Sequence, residues 1–319
     1  MNATAERHTM KKGHIAAVLL LSFLLSACAG AAVEKRSETS MQRGMKELSK
    51  GTDKYQQGCY HQALKQFYRA HDILAAADQQ QGVATSMNNI GTVYRAMGDF
   101  KSARLFFEES YRIYDDIGGH GGAIQALSNQ AAALIDADRL AAAEKLLGQA
   151  EKRALKYGQP LGKIWINQGV LLIKKSQYRQ AEEVLNRALE GTPPVKLSEQ
   201  ANANFALGGL MVKTGRPEQA LAYYRASLAA DREAGFYRGT ADNLAALGAV
   251  CLSLNLYEPA VKYLKRGVKI YALLGNIEKV AETMENLTAA AGKAEIDISV
   301  TRHFVEKWLE GEVQVSPCD

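Results

Sequence analysis

The groups in this chain that could carry chemistry are few. There are four cysteines, Cys28, Cys59, Cys251 and Cys318, and six histidines, His8, His14, His61, His71, His120 and His303. No two cysteines form a C-x-x-C, and no cysteine or histidine pair has metal-ligand spacing, so neither a zinc site nor a paired redox motif is expected. His61 and His71 lie ten residues apart on one predicted helix and do not share its face. The chain has no H-E-x-x-H, no G-x-S-x-G and no phosphate-cradling glycine loop. Gly118-Gly119-His120-Gly121-Gly122 reads as a turn between helices. The sequence therefore predicts no catalytic residue, no metal and no cofactor.

One cysteine stands apart. A polar stretch with Arg7, Lys11 and Lys12 leads into an apolar run of 11 residues, Ile15 to Leu25, which is too short to span a membrane as a helix. The pattern predicts a signal peptide over residues 1–27, with Met10-Lys11-Lys12 as a second plausible start. Leu25-Ser26-Ala27-Cys28 resembles the bacterial lipoprotein processing box. That resemblance implies cleavage before Cys28 and a thioether to diacylglycerol on its sulfur. Each buried methylene then contributes about 0.8 kcal/mol, and more than one acyl chain makes anchoring stable. Ala29 follows where aspartate would, by the same resemblance, retain the protein at the inner membrane, so an outer-membrane anchor is expected, with a lipidated tether over residues 28–40.

Without residues 1–27 the chain carries 36 Lys+Arg against 33 Asp+Glu. This near-neutral balance offers no electrostatic case for nucleic acid, which needs basic residues gathered on one face. An oxidising compartment would permit one disulfide among the remaining cysteines. Cys251 with Cys318 is the pair that a folded-back tail favours, since Cys59 lies about five repeats from Cys251. The alternative is that Cys251 packs within a helix and Cys318 is a free tail thiol.

The elements that position these residues repeat. Six times a small residue is followed by alanine at +12, an aromatic or leucine at +16 and a small residue at +19: Gly51/Ala63/Phe67/Ala70, Gly91/Ala103/Phe107/Ser110, Ala131/Ala143/Leu147/Ala150, Gly169/Ala181/Leu185/Ala188, Gly208/Ala220/Tyr224/Ser227 and Gly248/Ala260/Leu264/Gly267. Their alanines are 40, 40, 38, 39 and 40 residues apart, the signature of a repeat array. Within the second copy, Met87, Ile90 and Tyr94 precede a break at Gly98-Asp99, and Phe100, Ala103, Phe107 and Tyr111 follow it. Spacings of three and four put each set on one face, so every copy reads as two antiparallel helices. The small residue lets the two axes approach, and the +16 side chain fills the space between pairs. Pro160, Pro217 and Pro259 are expected in first helical turns, and Pro193-Pro194 in a connection.

These residues resemble the tetratricopeptide repeat, with Trp165, Gly169, Tyr178, Ala181, Leu185 and Ala188 in the fourth copy and Gly91, Tyr94, Gly98, Ala103 and Phe107 in the second. The unit is longer than the usual one and is similar to those of the kinesin light chain and the LGN and Rap regulatory proteins. The resemblance implies an all-α solenoid with a right-handed superhelix. Six repeats over residues 41–274 would be followed by capping helices over residues 275–311 and a tail over residues 312–319.

In such arrays the first helices line the concave face. Where chaperone-tail binders place a Lys, Asn and Arg clamp, this chain has Leu48, Asn88, Ser128, Ile166, Phe205 and Ala245, so no clamp for a free carboxylate is expected. The groove reads as apolar through Ile166, Val170, Ile173, Phe205, Val212 and Leu252, a surface for an amphipathic helix or extended apolar segment. Tighter curling would instead bury some of these residues between repeats. Asn89, Asn129 and Asn167 occupy one place in successive repeats and resemble the asparagine ladder of O-linked N-acetylglucosamine transferase. An amide can donate to and accept from a guest's peptide units, or fix neighbouring helices by local bonds. The expected function is a non-catalytic scaffold on the periplasmic face of the outer membrane, holding a peptide or protein partner for an envelope complex. The alternatives are a peptide-responsive sensor of the Rap type and a chaperone-like holder of envelope proteins.

Overall fold

The computed structural model describes residues 39–191, 196–312 and 317–318. The signal peptide, Leu25, Ser26, Ala27, Cys28, the tether up to residue 38 and Pro193-Pro194 lie outside the described residues. Fourteen helices and no strand are found among the described residues. They are α1 Ser40–Gln56, α2 Tyr60–Ala76, α3 Gln80–Ala96, α4 Phe100–Asp116, α5 His120–Asp136, α6 Leu140–Lys156, α7 Gly162–Lys174, α8 Tyr178–Leu189, α9 Leu197–Lys213, α10 Pro217–Glu233, α11 Tyr237–Ser253, α12 Tyr257–Leu273, α13 Ile277–Ala294 and α14 Ser299–Leu309. None of these helices is long and apolar enough to cross a membrane.

Most of the helices are 17 residues long, and three-residue turns join them. At the α3–α4 turn, Gly98 adopts φ 84°, and the Asp99 N–H donates back to the Tyr94 carbonyl at 2.9 Å. This bond satisfies a carbonyl that the helix end would otherwise leave open. The Asp99 side chain then caps α4 by accepting from the Ser102 N–H at 3.0 Å. The left-handed position recurs at Gly58, Asp78, Gly98, Gly118, Asp138 and Gly158, every 20 residues, and again from Gly215 through Asn255 to Glu295. The unit is thus two halves of equal length. Asp78, Asp138 and Asn255 fill the left-handed site with short polar side chains that tolerate it.

The close approach of paired helices rests on the small residues found by spacing. A Cβ on Gly91 would lie 2.8 Å from the Phe107 ring and 3.1 Å from the Ala103 carbonyl oxygen, and one on Gly208 would lie 2.7 Å from the Tyr224 ring. Phe107 and Ala103 are completely buried, so neither has room to move. The small residue at +19 has its own task. The Ser110 hydroxyl donates to the Ala84 carbonyl at 2.8 Å and the Ser227 hydroxyl to Ala201 at 2.9 Å, both buried between the helices of a pair.

From α1 to α13 successive helices pack on each other, and first helices of neighbouring pairs also touch, α1 on α3, α3 on α5, α5 on α7 and α7 on α9. The core is therefore a chain of clusters rather than one centre. At the far end α13 stacks on α12, and α14 returns to pack on α12 through Val305, covering the last apolar face. Pro217 opens α10 and Pro259 lies in the first turn of α12. Pro160 does not start a helix. It sits in the connection before α7, which begins two residues later and runs only 13 residues. This shortening goes with the reduced spacing of the fourth repeat.

The array curls until its first and last repeats meet. The Tyr55 and Phe236 rings stack at 5.8 Å, Leu274 rests against Gly58, and Arg238 lies beside the Tyr60 hydroxyl. A disulfide joins Cys59 to Cys318, with Cα atoms 5.3 Å apart, and the Gln62 amide donates to the Cys318 carbonyl. The expected Cys251–Cys318 pair is thereby corrected. Cys251 is a buried free thiol in α11, while superhelical curvature brings the first turn to the tail.

Matched substitutions test the close approach. Gly148 lies on α6 with nothing within 4 Å of an added Cβ, so Gly148→Ala should stabilise by up to about 1 kcal/mol. Gly91→Ala should reverse that sign and cost about 1–2 kcal/mol through overpacking, read as opposite shifts in urea midpoint.

Candidate binding interior and its seam

The concave side of α7, α9 and α11 carries the accessible part of the predicted groove. Phe205 is 39% exposed and Val212 is 45% exposed on α9, with Phe205 set edge-on to Tyr224 at 5.4 Å. Val170, Ile173 and Leu252 are half-buried beside them. Ile166 is not part of that surface. At 6% exposure it packs with Ala188 and Ala203 between the fourth and fifth repeats, as expected where curvature presses one first helix onto the next.

The asparagine series is drawn into the same packing. The Asn129 amide, 5% exposed, donates to the Asn88 side-chain oxygen at 2.8 Å. The Asn167 amide donates to both the carbonyl and the hydroxyl oxygen of Ser128, at 3.0 and 2.9 Å. These two side chains tie one first helix to its predecessor through their Nδ2 groups. Asn89 is half-buried on α3. Of the two roles the sequence offers these amides, the Nδ2 bonds of Asn129 and Asn167 are the local one, between neighbouring first helices.

Charged groups that spacing alone did not single out converge on the interior. Arg95 on α3 donates to Asp136 on α5 at 2.6 Å. Its guanidinium acts on Lys163 of α7, two repeats on, and on Tyr55 of α1. Burial, and then the nearby positive charge of Arg95, bring the Lys163 ammonium down to about 8, with Glu199 opposing them. Lys163 lies seven residues before Val170 and hence on the same helical face. The register of the repeats contained that signal, although a lysine at one position of one repeat does not stand out.

At the seam, Arg238 donates from Nε to both Asp242 carboxylate oxygens, at 3.0 and 3.2 Å, and lies beside Tyr60. The Tyr271 hydroxyl donates to Asp242 at 2.6 Å. Burial raises the Tyr60 and Tyr271 hydroxyls well above their ordinary range, so both stay neutral donors or acceptors. A cleft of about 790 Å³ opens here, lined by Tyr60, Arg238, Asn276 and Cys318 among others. An apolar pocket of about 370 Å³ lies beside it, with Tyr237, Ile270, Leu273 and Pro317 in its wall. Among the described residues no three His, Cys, Asp or Glu side chains come together as a metal site.

The tetratricopeptide repeat family matches residues 45–116, 199–272 and, by a second form of the repeat, 162–193. The chain is a tetratricopeptide repeat protein. Comparison with curated protein sequences gives no match. Among solved structures it is similar to the Rap conjugation gene regulator of plasmid pLS20 in complex with the Phr* peptide, at 19% identity and TM-score 0.57, over 88% of this chain and 80% of that one. A Rap protein complexed with competence and sporulation factor matches at 16% identity and TM-score 0.55, over 82% and 79%. The tetratricopeptide repeat sensor of a signal transduction ATPase from Pyrococcus horikoshii matches at 16% and 0.59, over 90% of this chain and 44% of that one. These likenesses establish the fold, a repeat solenoid with Rap-like units. Such repeats are interaction scaffolds, and no catalytic family is indicated.

One acid near the seam responds to pH. Asp231 on α10 is buried and accepts from the Asn243 amide at 2.8 Å. Burial and the Asp242 carboxylate push it up to about 7, against the Asn243 bond. The folded state then holds this proton more tightly than the unfolded chain, so the stabilisation is full below about pH 4 and is lost as pH rises through about 7. The urea midpoint of the native chain should fall between pH 5 and 8, and Asp231→Asn should flatten that fall.

Proposed function

We propose that this tetratricopeptide repeat protein is a non-catalytic adaptor that holds an apolar segment of a partner protein in its concave interior, while an acylated Cys28 tethers it to the outer membrane. The partner is an envelope protein or peptide, and the body faces the periplasm. Phe205 and Val212 carry this reading. Large apolar side chains exposed at 39% and 45% on α9, together with half-buried Val170, Ile173 and Leu252 on the neighbouring first helices, offer apolar surface of the kind that binds. Fully burying one such side chain under a guest would contribute about 1.5–3 kcal/mol. Lys163 at the end of the strip, its ammonium brought down to about 8 and still mostly charged at neutral pH, favours a guest with an acidic group there.

A second reading is a peptide-responsive regulator. The Rap structures that resemble this chain are complexes with a peptide or with a sporulation factor, and here the first and last repeats meet through only a few side chains. A ligand inside such an array would shift its pitch, which small-angle scattering would read as ligand-dependent compaction. A scaffold would bind its partner with little change. A chaperone-like holder would bind apolar dyes and unfolded envelope proteins without preference.

A photoreactive amino acid at Phe205, with one at the exposed Leu155 of α6 as control, should capture a single partner from the interior position alone. Crosslinks confined to the chain itself, or equal capture from both sites, would remove the interior as the binding face. Separately, the native chain should fractionate with the outer membrane and Cys28→Ser should not mature or should leave it; unchanged fractionation would count against the anchor.

A further inference from the structure

The Cys59–Cys318 disulfide crosses the seam where the first repeat meets the last, and the other contacts there are made by side chains rather than by paired helices. Among the described residues its other contacts include the Tyr55–Phe236 stack at 5.8 Å, the Gln62 amide on the Cys318 carbonyl, Arg238 beside Tyr60 and Leu274 against Gly58. Neither α1 nor α2 packs along α11, α12, α13 or α14 in the way that each packs along its neighbours. Parting the seam would therefore leave the helix pairs intact, because each pair is held by the pairs on either side.

The two sulfurs differ in access and in setting. Cys59 is 4% exposed and is the N-cap residue of α2. Unpaired N–H groups and the helix dipole stabilise a thiolate there, and the Arg238 guanidinium lines the same cleft. Cys318 is half-exposed on the tail, which Pro317 seats in the apolar pocket. An incoming thiolate reaches Cys318 more readily than Cys59. The sulfur it expels is then that of Cys59, at the first turn of α2.

We propose that the Cys59–Cys318 disulfide is a thiol–disulfide exchange site for a protein dithiol, and that its reduction releases the tail and opens the superhelix at the seam. In the first step a thiolate of the dithiol bonds to Cys318 Sγ, the bond between the two cysteine sulfurs breaks, and Cys59 leaves as a thiolate. The second sulfur of the dithiol then attacks the mixed disulfide and expels Cys318. The dithiol is oxidised to a disulfide by two electrons, and Cys59 and Cys318 end as thiols after taking up the two protons. The opened array gives a partner wider access to Phe205 and Lys163; that consequence rests on the interior being the binding face, whereas the exchange and the opening do not.

The purified full chain, without a partner, separates the two. Brief exposure to glutathione should place the adduct on Cys318, identified by peptide mass spectrometry. Dithiothreitol should increase the radius of gyration by at least about a tenth with helicity unchanged, as expected of a hinged opening. Cys318→Ser should be open without reductant, and Cys251→Ser should behave as the native chain. An adduct on Cys59, or an unchanged radius after reduction, would overturn the proposal. Loss of helicity in both the reduced chain and Cys318→Ser would overturn it too, since the bond would then be a folding staple. Opening without any partner captured from Phe205 would leave the exchange site standing and remove the adaptor reading.

Discussion

The distance between the two helices of a pair is the constraint on which this structure depends. Helix axes can approach closely only where one of them presents almost no side chain, and here Gly51, Gly91, Gly169 and Gly208 each face the buried residue sixteen positions on. That residue fills the space the missing side chain leaves, and it is completely or almost completely buried in each case. The next small residue, at +19, either packs flat or, as in Ser110 and Ser227, returns a hydroxyl to a carbonyl of the partner helix. A pair built in this way still has two apolar faces, and stacking is what covers them.

Stacking at close distance has further consequences. It brings successive first helices into contact, so that polar side chains on them are satisfied by one another. The bonds from Asn129 to Asn88 and from Asn167 to Ser128 belong to this layer. It also buries Ile166 while leaving Phe205 and Val212 on the inner surface. An apolar strip of limited extent is thus combined with a small set of charges, Arg95, Lys163 and Arg238, that curvature gathers from three different repeats. Burial acts on Lys163, whose ammonium is driven down to about 8.

The curl of the array also determines its chemistry. Two cysteines 259 residues apart become neighbours only because the first turn and the tail arrive at one seam. Cys251, which sequence separation favoured as a partner, is enclosed within α11 instead. The same curvature stacks Tyr55 on Phe236 and places Tyr60 beside Arg238, contacts that no local pattern announces.

The helix pairs, their register and their order were legible in the sequence because each depends on residues twelve, sixteen or nineteen positions apart, and steric demands at that range leave few residue types. The 20-residue half-unit was less visible, since its left-handed turn is filled by glycine in some places and by aspartate, asparagine, serine or glutamate in others. The motif at Cys28 likewise belongs to the sequence, which names the chemistry expected there. Tertiary structure alone decided which groove residues stay accessible, which asparagines are already bonded, and which cysteines meet. Each of these depends on small rotations between repeats that add up over the whole array, and a spacing rule that holds within one repeat carries no information about their sum.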